Sequence, residues 1–518
     1  MGRFERRFAM AMATAFLGLA LLPAPSAQAV QLDPGGLGQV LIYPYYTVHD
    51  RQQTVLSITN TSDFEQVVQV TLREALNGRP ALQFKVWLGR YDVWTGTLYA
   101  LADDGMASDG AGIATADRSC TTPAFTSTGL TTSGGRPYMP LLDGSYSGAM
   151  SDGGPSGLSR ARHGWIEVIT LANLSGPIAA AITHTTNGFP ASCAMVQNLP
   201  SSAAGILRPN GGMMGSASVV RAGSGTLLSS RAEALSGFTE TSLFYDATQV
   251  APDLASVNQG VSGAAVSAKI IDSQGRWQVL TYGQSGSGSR PIDAVSAVLM
   301  ASRVKNEYRA AVAIGDATDW VLTLPTKRFY TDPAIVGTGS PALAPFEEPF
   351  GAPGNSRLCA PHRLVDQNQK AFTTNFIYCE PQPIHNPPSN YFFLFQAANV
   401  VGFLGSSTAS PTRTGVLAAP EPAGTSTPFF PWHAPPVVGP AGWMDVNLAA
   451  RSHRLPASAE GKILSGIPVI GYSATTIANS SRIGSSFTTS RALSPNAYAT
   501  RHATTVACTK ATGGMPCD

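Results

Sequence analysis

The sequence predicts a mainly β protein: an antiparallel β-sandwich, immunoglobulin-like or related, followed by a second β-rich part. Three observations predict it. Apolar and polar residues alternate in short runs between 40 and 100, the signature of half-buried strands. The runs are closely spaced and parted by turn residues, as in a sandwich. Charged residues make up only 13% of the chain, against about 25% in ordinary domains, while Gly (52) and Pro (38) are abundant. That is the profile of an exported β protein with long loops. The 43% hydrophobic content is enough for a sizeable core.

Residues 1–29 read as a secretory signal peptide and stand outside the fold. Arg3, Arg6 and Arg7 supply the basic start, "FAMAMATAFLGLALL" the apolar middle, and Ala27–Ala29 ("AQA") the small-x-small cleavage site. Cleavage there makes Val30 the first mature residue. The paired arginines also suit twin-arginine export, but the residues after them fit ordinary secretion better. The apolar run is short of the ~20 residues of a membrane anchor. No later stretch has ~18 unbroken apolar residues, so no integral membrane segment is expected after cleavage. The expected location is extracellular, cell-surface or periplasmic.

The region 30–332 is the expected sandwich. Val40–Val48 reads as a strand interrupted by Pro44, which belongs at an edge or a bulge because proline cannot donate to a ladder. Tyr43, Tyr45 and Tyr46 flank that proline. They are candidate ligand or partner contacts, with packing on a pleated face as the plainer role. Next come Thr54, Leu56 and Ile58; Val68, Val70 and Leu72; Leu82, Phe84, Val86 and Leu88; and Val93–Tyr99. Residues 101–162 form a Gly/Ser-rich excursion with little periodicity. Its Asp103, Asp104, Asp109, Asp143 and Asp152 have oxygen ligands for calcium but match no EF-hand spacing. Strand pattern resumes at His163–Leu171 and at Arg276–Gly283. Ala294–Tyr308 suits a helix or a strand, and Thr318–Asp332 a strand ending near Pro325.

Residues 333–349 form a Pro/Gly linker, and 350–518 a C-terminal β-rich region with "AFTTNFIYCE", "YFFLFQ" and "IPVIGYSATTIANSS" as strands. Phe429–Pro436, "FFPWHAPP", reads equally as a rigid spacer or as a recognition loop presenting Trp432. The cysteines are even in number, which in an exported chain points to disulfides. Sequential pairing is expected: Cys120–Cys193, Cys359–Cys379 and Cys508–Cys517.

Chemistry leaves few traces. A net charge of +2 without a basic cluster argues against nucleic acid. The G-x-S-x-G elbow, H-E-x-x-H, G-x-G-x-x-G and the P-loop are absent, and the eight histidines are dispersed. Glu74, Glu167, Glu307 and Asp319 are available for a glycosidase pair, but sequence places no two of them together. Asp92 and Asp319 read as strand-entry carboxylates that accept local backbone N–H groups. No catalytic residue, cofactor or metal site is nominated.

Several stretches together resemble a group of secreted bacterial β-rich proteins of no established activity. They are "LIYPYYTV", "TNTS", "LREALNG", "YDVWTG", "HGWIEVI", "TDWVLTLPTKRFY" and "IPVIGYSA", in that order between about 40 and 475. The resemblance implies a surface-exposed or periplasmic β protein and carries over no catalytic residue. The expected role is non-enzymatic, structural or adhesive, through sheet edges and loops. Partners would be other surface proteins or a second copy by strand addition, with glycans a further candidate. The alternatives are a secreted hydrolase acting on glycans and a carbohydrate-binding module.

Overall fold

The computed structural model describes residues 29–258, 265–311, 316–373, 392–404, 413–420, 432–433, 439–449, 452–477 and 496–517. The chain is mainly β, as its periodicity predicts. In the N-terminal unit two antiparallel sheets face each other. The first runs, edge to edge, Gln31–Leu32, Glu233–Ser236, Val40–Thr47, His163–Leu174, Glu65–Glu74, Pro80–Leu88, Thr121–Thr122. The second runs Thr226–Arg231, Met213–Arg221, Gln52–Asn60, Val93–Ala100, Ala111–Ala114, Tyr138–Pro140. Leu41, Tyr43, Ile58, Val70, Phe84, Trp94 and Ile166 fill the space between them.

The other face of the first sheet is also covered. Val40, Ile42, Tyr45, Trp87, Trp165 and Ile169 belong to a larger core that continues into the C-terminal unit. Val40–Thr47, Glu65–Glu74 and His163–Leu174 are therefore buried along their entire lengths. The second sheet has one wet face, and Gln52–Asn60 keeps the alternation of a half-buried strand.

The region 101–162 is more than an excursion. Its short strands extend both sheets at their edges, and 3-10 turns pack Leu101 and Phe125 inward. The disulfide Cys120–Cys193 forms as expected, at 2.03 Å.

The C-terminal unit is a second pair of sheets. One runs Ala371–Thr373, His362–Asp366, Ala441–Asn447, Arg303–Arg309, Ala503–Thr505. The other runs Trp432–His433, Ala398–Leu404, Ala317–Thr323, Ile470–Ile477, Asn496–Arg501. Tyr308 of the first stacks on Phe403 of the second at 5.0 Å, and the Trp320 indole donates to Glu307 O at 2.9 Å. The segment 333–349 does not divide the sheets, because Arg303–Arg309 and Ala317–Thr323 precede it and pair with strands that follow it. It is also packed: Phe346 is buried beside the Tyr330 ring, 5.6 Å away. The ambiguous stretch 294–308 holds both forms. A helix, Pro291–Val298, starts on its proline, and the strand Arg303–Arg309 follows. Cys508–Cys517 is formed, whereas Cys379 of the third expected pair lies outside the described residues. No helix among the described residues is long and apolar enough to cross a membrane.

Candidate functional site

The tyrosines singled out in the sequence make no exposed platform. Tyr43, Tyr45 and Tyr46 are fully buried, which overturns their assignment as ligand contacts. Tyr43 donates to Ser57 O at 2.8 Å and Tyr46 to Ala161 O at 3.0 Å, so those two hydroxyls are satisfied inside the sandwich. Pro44 does sit at a bulge. Tyr46 pairs with Gly164 and Tyr43 with Ile166, so Pro44 and Tyr45 together face Trp165. At the bulge the strand meets the C-terminal unit. Pro44 O accepts the Thr323 hydroxyl, and Gln52 donates to Val416 O at 2.7 Å. The stretch is a seam between the two units. Trp432 lies in a two-residue strand parallel to Phe403–Leu404; its side chain lies outside the described residues.

Titratable groups line that seam. His49 Nε2 and His163 Nδ1 are 3.1 Å apart. Burial depresses both imidazoles, His49 to about 2 and His163 to about 4, helped at His49 by His163 and at both by the positive charges of Arg413 and Arg162. Asp319 is buried from the strand Ala317–Thr323 and accepts the backbone amides of Val416 and Leu417 at 3.0 and 2.7 Å. Its amide partners are thus remote in sequence, unlike those of Asp92, which accepts from Gly89 and Val93. Burial raises the Asp319 carboxyl to about 6, those amide bonds only partly offsetting it.

Glu74, Glu167 and Asp152 are interior too, whereas Glu307, Asp103 and Asp109 are exposed. Arg160 forks between Glu74 and Asp152, at 2.9 and 2.6 Å, while Glu74 also accepts the amides of Leu76, Asn77 and Arg79. Arg79 forks onto Asp332, and Arg73 pairs with Glu167 at 3.2 Å. Lys327 is buried with its ammonium on Ser356 O (2.6 Å) and Phe395 O (3.2 Å), and burial lowers it to about 7. Of these contacts the Arg79–Asp332 pair links the two units, and the others satisfy buried charges within one unit. Among the described residues no group of three His, Cys, Asp or Glu gathers for a metal ion.

An open site lies elsewhere, on a hairpin of Val266–Ile271 and Trp277–Tyr282. Asp272 builds its turn by accepting the amides of Gln274 and Arg276, with Gly275 left-handed at φ +77°. The inner face, Val266, Ala268, Ile270, Leu280 and Tyr282, is buried. The outer face is not: Ile271 is 51% exposed, Trp277 59% and Val279 46%. Lys269 holds its ammonium 4.4 Å from the centre of the Trp277 ring.

The hairpin has one closed edge and one open one. Val30 closes the first, donating to Ser267 O at 2.8 Å and accepting from Lys269 N at 2.9 Å. On the other strand, Thr281 N–H reaches Glu460 and Thr281 O accepts from Ala459 N. Residues two apart in a strand point their main chain the same way, so Trp277 and Val279 direct theirs outward as well. No described residue bonds to those groups.

Beside the turn lies a cleft of about 600 Å³. Its buried lining is mainly apolar, with Val298, Leu299, Val469, Ile470 and Val506 among it, and its polar lining includes Lys269, Arg501, Glu233, Asp33 and the buried Asp272. His502 is also there, fixed by Val321 O at 2.9 Å and Asn306 Nδ2 at 3.0 Å, so its ring donates from Nε2 and accepts at Nδ1. The sequence reading found one of the two strands and missed its partner, Lys269 and the open edge. The signal was there: "AKII" and "WQVLTY" alternate on either side of "DSQG". Comparison of this chain with family models, with curated proteins and with solved structures returns no match.

Proposed function

We propose that the mature chain is exported and works outside the cytoplasm as a non-enzymatic structural or adhesive protein, joined to a second polypeptide by strand addition along Trp277–Val279. The observation that carries this is the open edge itself. Outward main-chain donors and acceptors meet exposed apolar side chains on one short strand, and that combination is what an added strand pairs with. The chain's low charge and disulfides suit an exported role. Val30, the expected first mature residue, is buried, and its nitrogen donates to Ser267 O, a bond that a free amino terminus also makes.

Val279→Pro tests the reading cleanly. It removes an outward N–H and leaves the inner ladder intact, the way natural edge strands are blunted. The variant should keep the wild-type circular dichroism spectrum and lose surface attachment and self-association in sedimentation. Attachment equal to wild type in a folded Val279→Pro protein ends the proposal. So does turnover of a glycan, ester or peptide substrate that disappears when one carboxylate, histidine or serine is replaced.

A further inference from the structure

The geometry points to the cleft beside the hairpin turn as a binding site for a small amphipathic acid, a molecule with an apolar body and a carboxylate head. Strand addition uses the main chain of Trp277–Val279, whereas this site uses side chains around the hollow, that of Trp277 among them.

The size and lining of the cleft suit such a ligand. At about 600 Å³ the cleft falls within the range of ligand pockets, roughly 300–1,000 Å³. Its buried wall is aliphatic, from Val298, Leu299, Val469, Ile470 and Val506. Such a wall attracts an apolar body and offers a polar one nothing.

The charges around the cleft select the sign of the head group. Among the described residues two charged groups of the lining have no ion-pair partner, Asp33 and Lys269, and Lys269 is the cation. Arg501 pairs with Glu233 at 2.7 Å. Asp272 accepts two turn amides, the Gln278 amide at 2.9 Å and the Arg276 guanidinium at 3.3 Å. Asp33 accepts the Leu37 amide of its own turn at 3.3 Å. Lys269 has no carboxylate partner among the described residues; its ammonium rests only on the face of Trp277. A cation with spare donors beside an apolar hollow recognises an acid whose tail fills the hollow. Neutral His502 has both nitrogens engaged and adds no second cation.

The test uses dodecanoate as the probe, below its micelle concentration, in isothermal titration against the full mature chain. Dodecyltrimethylammonium, with the same tail and the opposite charge, is the comparison. Dodecanoate should bind at least about tenfold more tightly than the cationic amphiphile, the scale of one charge-assisted hydrogen bond. Lys269→Glu should weaken dodecanoate by about tenfold or more and reverse the preference. Val298→Phe should fill the hollow and abolish binding of both. Lys269 lies at the surface, so its variant keeps the question answerable if Val298→Phe fails to fold. No binding of dodecanoate to folded wild type, equal affinity for the two amphiphiles, or an unchanged affinity in Lys269→Glu would each overturn the proposal. The separate behaviour of Val279→Pro tells the two readings apart: it should bind dodecanoate like wild type.

Discussion

The strands Val40–Thr47 and Trp277–Tyr282 are written in the same alphabet and meet opposite fates. Each mixes aromatic and β-branched residues with few charges. All eight residues of the first are buried, whereas the second alternates exposed and buried along its length. The difference lies in what covers the second face. Val40–Thr47 sits in a sheet with the facing sheet on one side and the C-terminal unit on the other. Trp277–Tyr282 sits in a two-stranded hairpin whose inner face meets the helix Pro291–Val298 and whose outer face is covered by no second layer among the described residues. An aromatic-rich strand is therefore a poor guide to a binding surface until the number of layers around it is known.

The most direct way to break the comparison is to hollow out the buried strand. Tyr46→Ala removes a fully buried ring and its bond to Ala161 O, and should cost about 3–5 kcal/mol in urea unfolding. A loss under 1 kcal/mol would mean that the strand is not the core element described.

Acid should loosen the same seam. His49 and His163 have folded values depressed to about 2 and about 4 from an ordinary 6.5. Below pH 6.5 the unfolded chain takes up protons that the folded seam refuses, so stability is complete above 6.5 and falls as the pH drops. At pH 5 each histidine withdraws roughly 2 kcal/mol. Asp319 acts in the opposite sense. Its carboxyl is raised to about 6, so its contribution is complete below the unfolded value near 3.8 and is lost as the pH rises through 6. At pH 5 it returns roughly 1 kcal/mol, less than the histidines remove. Urea titrations at pH 7 and pH 5 should show a net loss, and Asp319→Asn should make that loss steeper. Equal stability at both pH values would show that the imidazoles are not held neutral.

These contrasts also mark what the sequence could disclose. Strand positions were legible, because side-chain period is local: Thr54, Leu56 and Ile58 face inward as their alternation says. So were Pro44 at a bulge and the pairs Cys120–Cys193 and Cys508–Cys517. What could not be read was every contact made by residues far apart in the chain. Asp319 looked like a strand-entry carboxylate, yet its amide donors come from Val416 and Leu417. The seam that buries Tyr45 needs Thr323 and Leu417 to arrive from the C-terminal unit. The cleft gathers residues 32–34, 233, 269–277, 297–304, 469–471 and 501–506, and no spacing rule joins those segments.

The smallest expected effect sharpens the comparison most. Trp277→Thr replaces a ring that is mostly in water and keeps a residue with good strand propensity. It forfeits partial burial and the Lys269 contact, worth about 0.5–1 kcal/mol at an exposed site. The stability change should therefore stay near 1 kcal/mol, several times smaller than for Tyr46→Ala, though tryptophan is the larger residue. Size alone would predict the reverse order; layer count predicts this one. If Trp277→Thr destabilises the chain as much as Tyr46→Ala, the outer face of the hairpin is packed against something, and the open edge is not available to a partner. If it leaves stability nearly unchanged while weakening surface attachment, the ring serves an outside contact, as residues that are exposed and apolar at an open strand edge do.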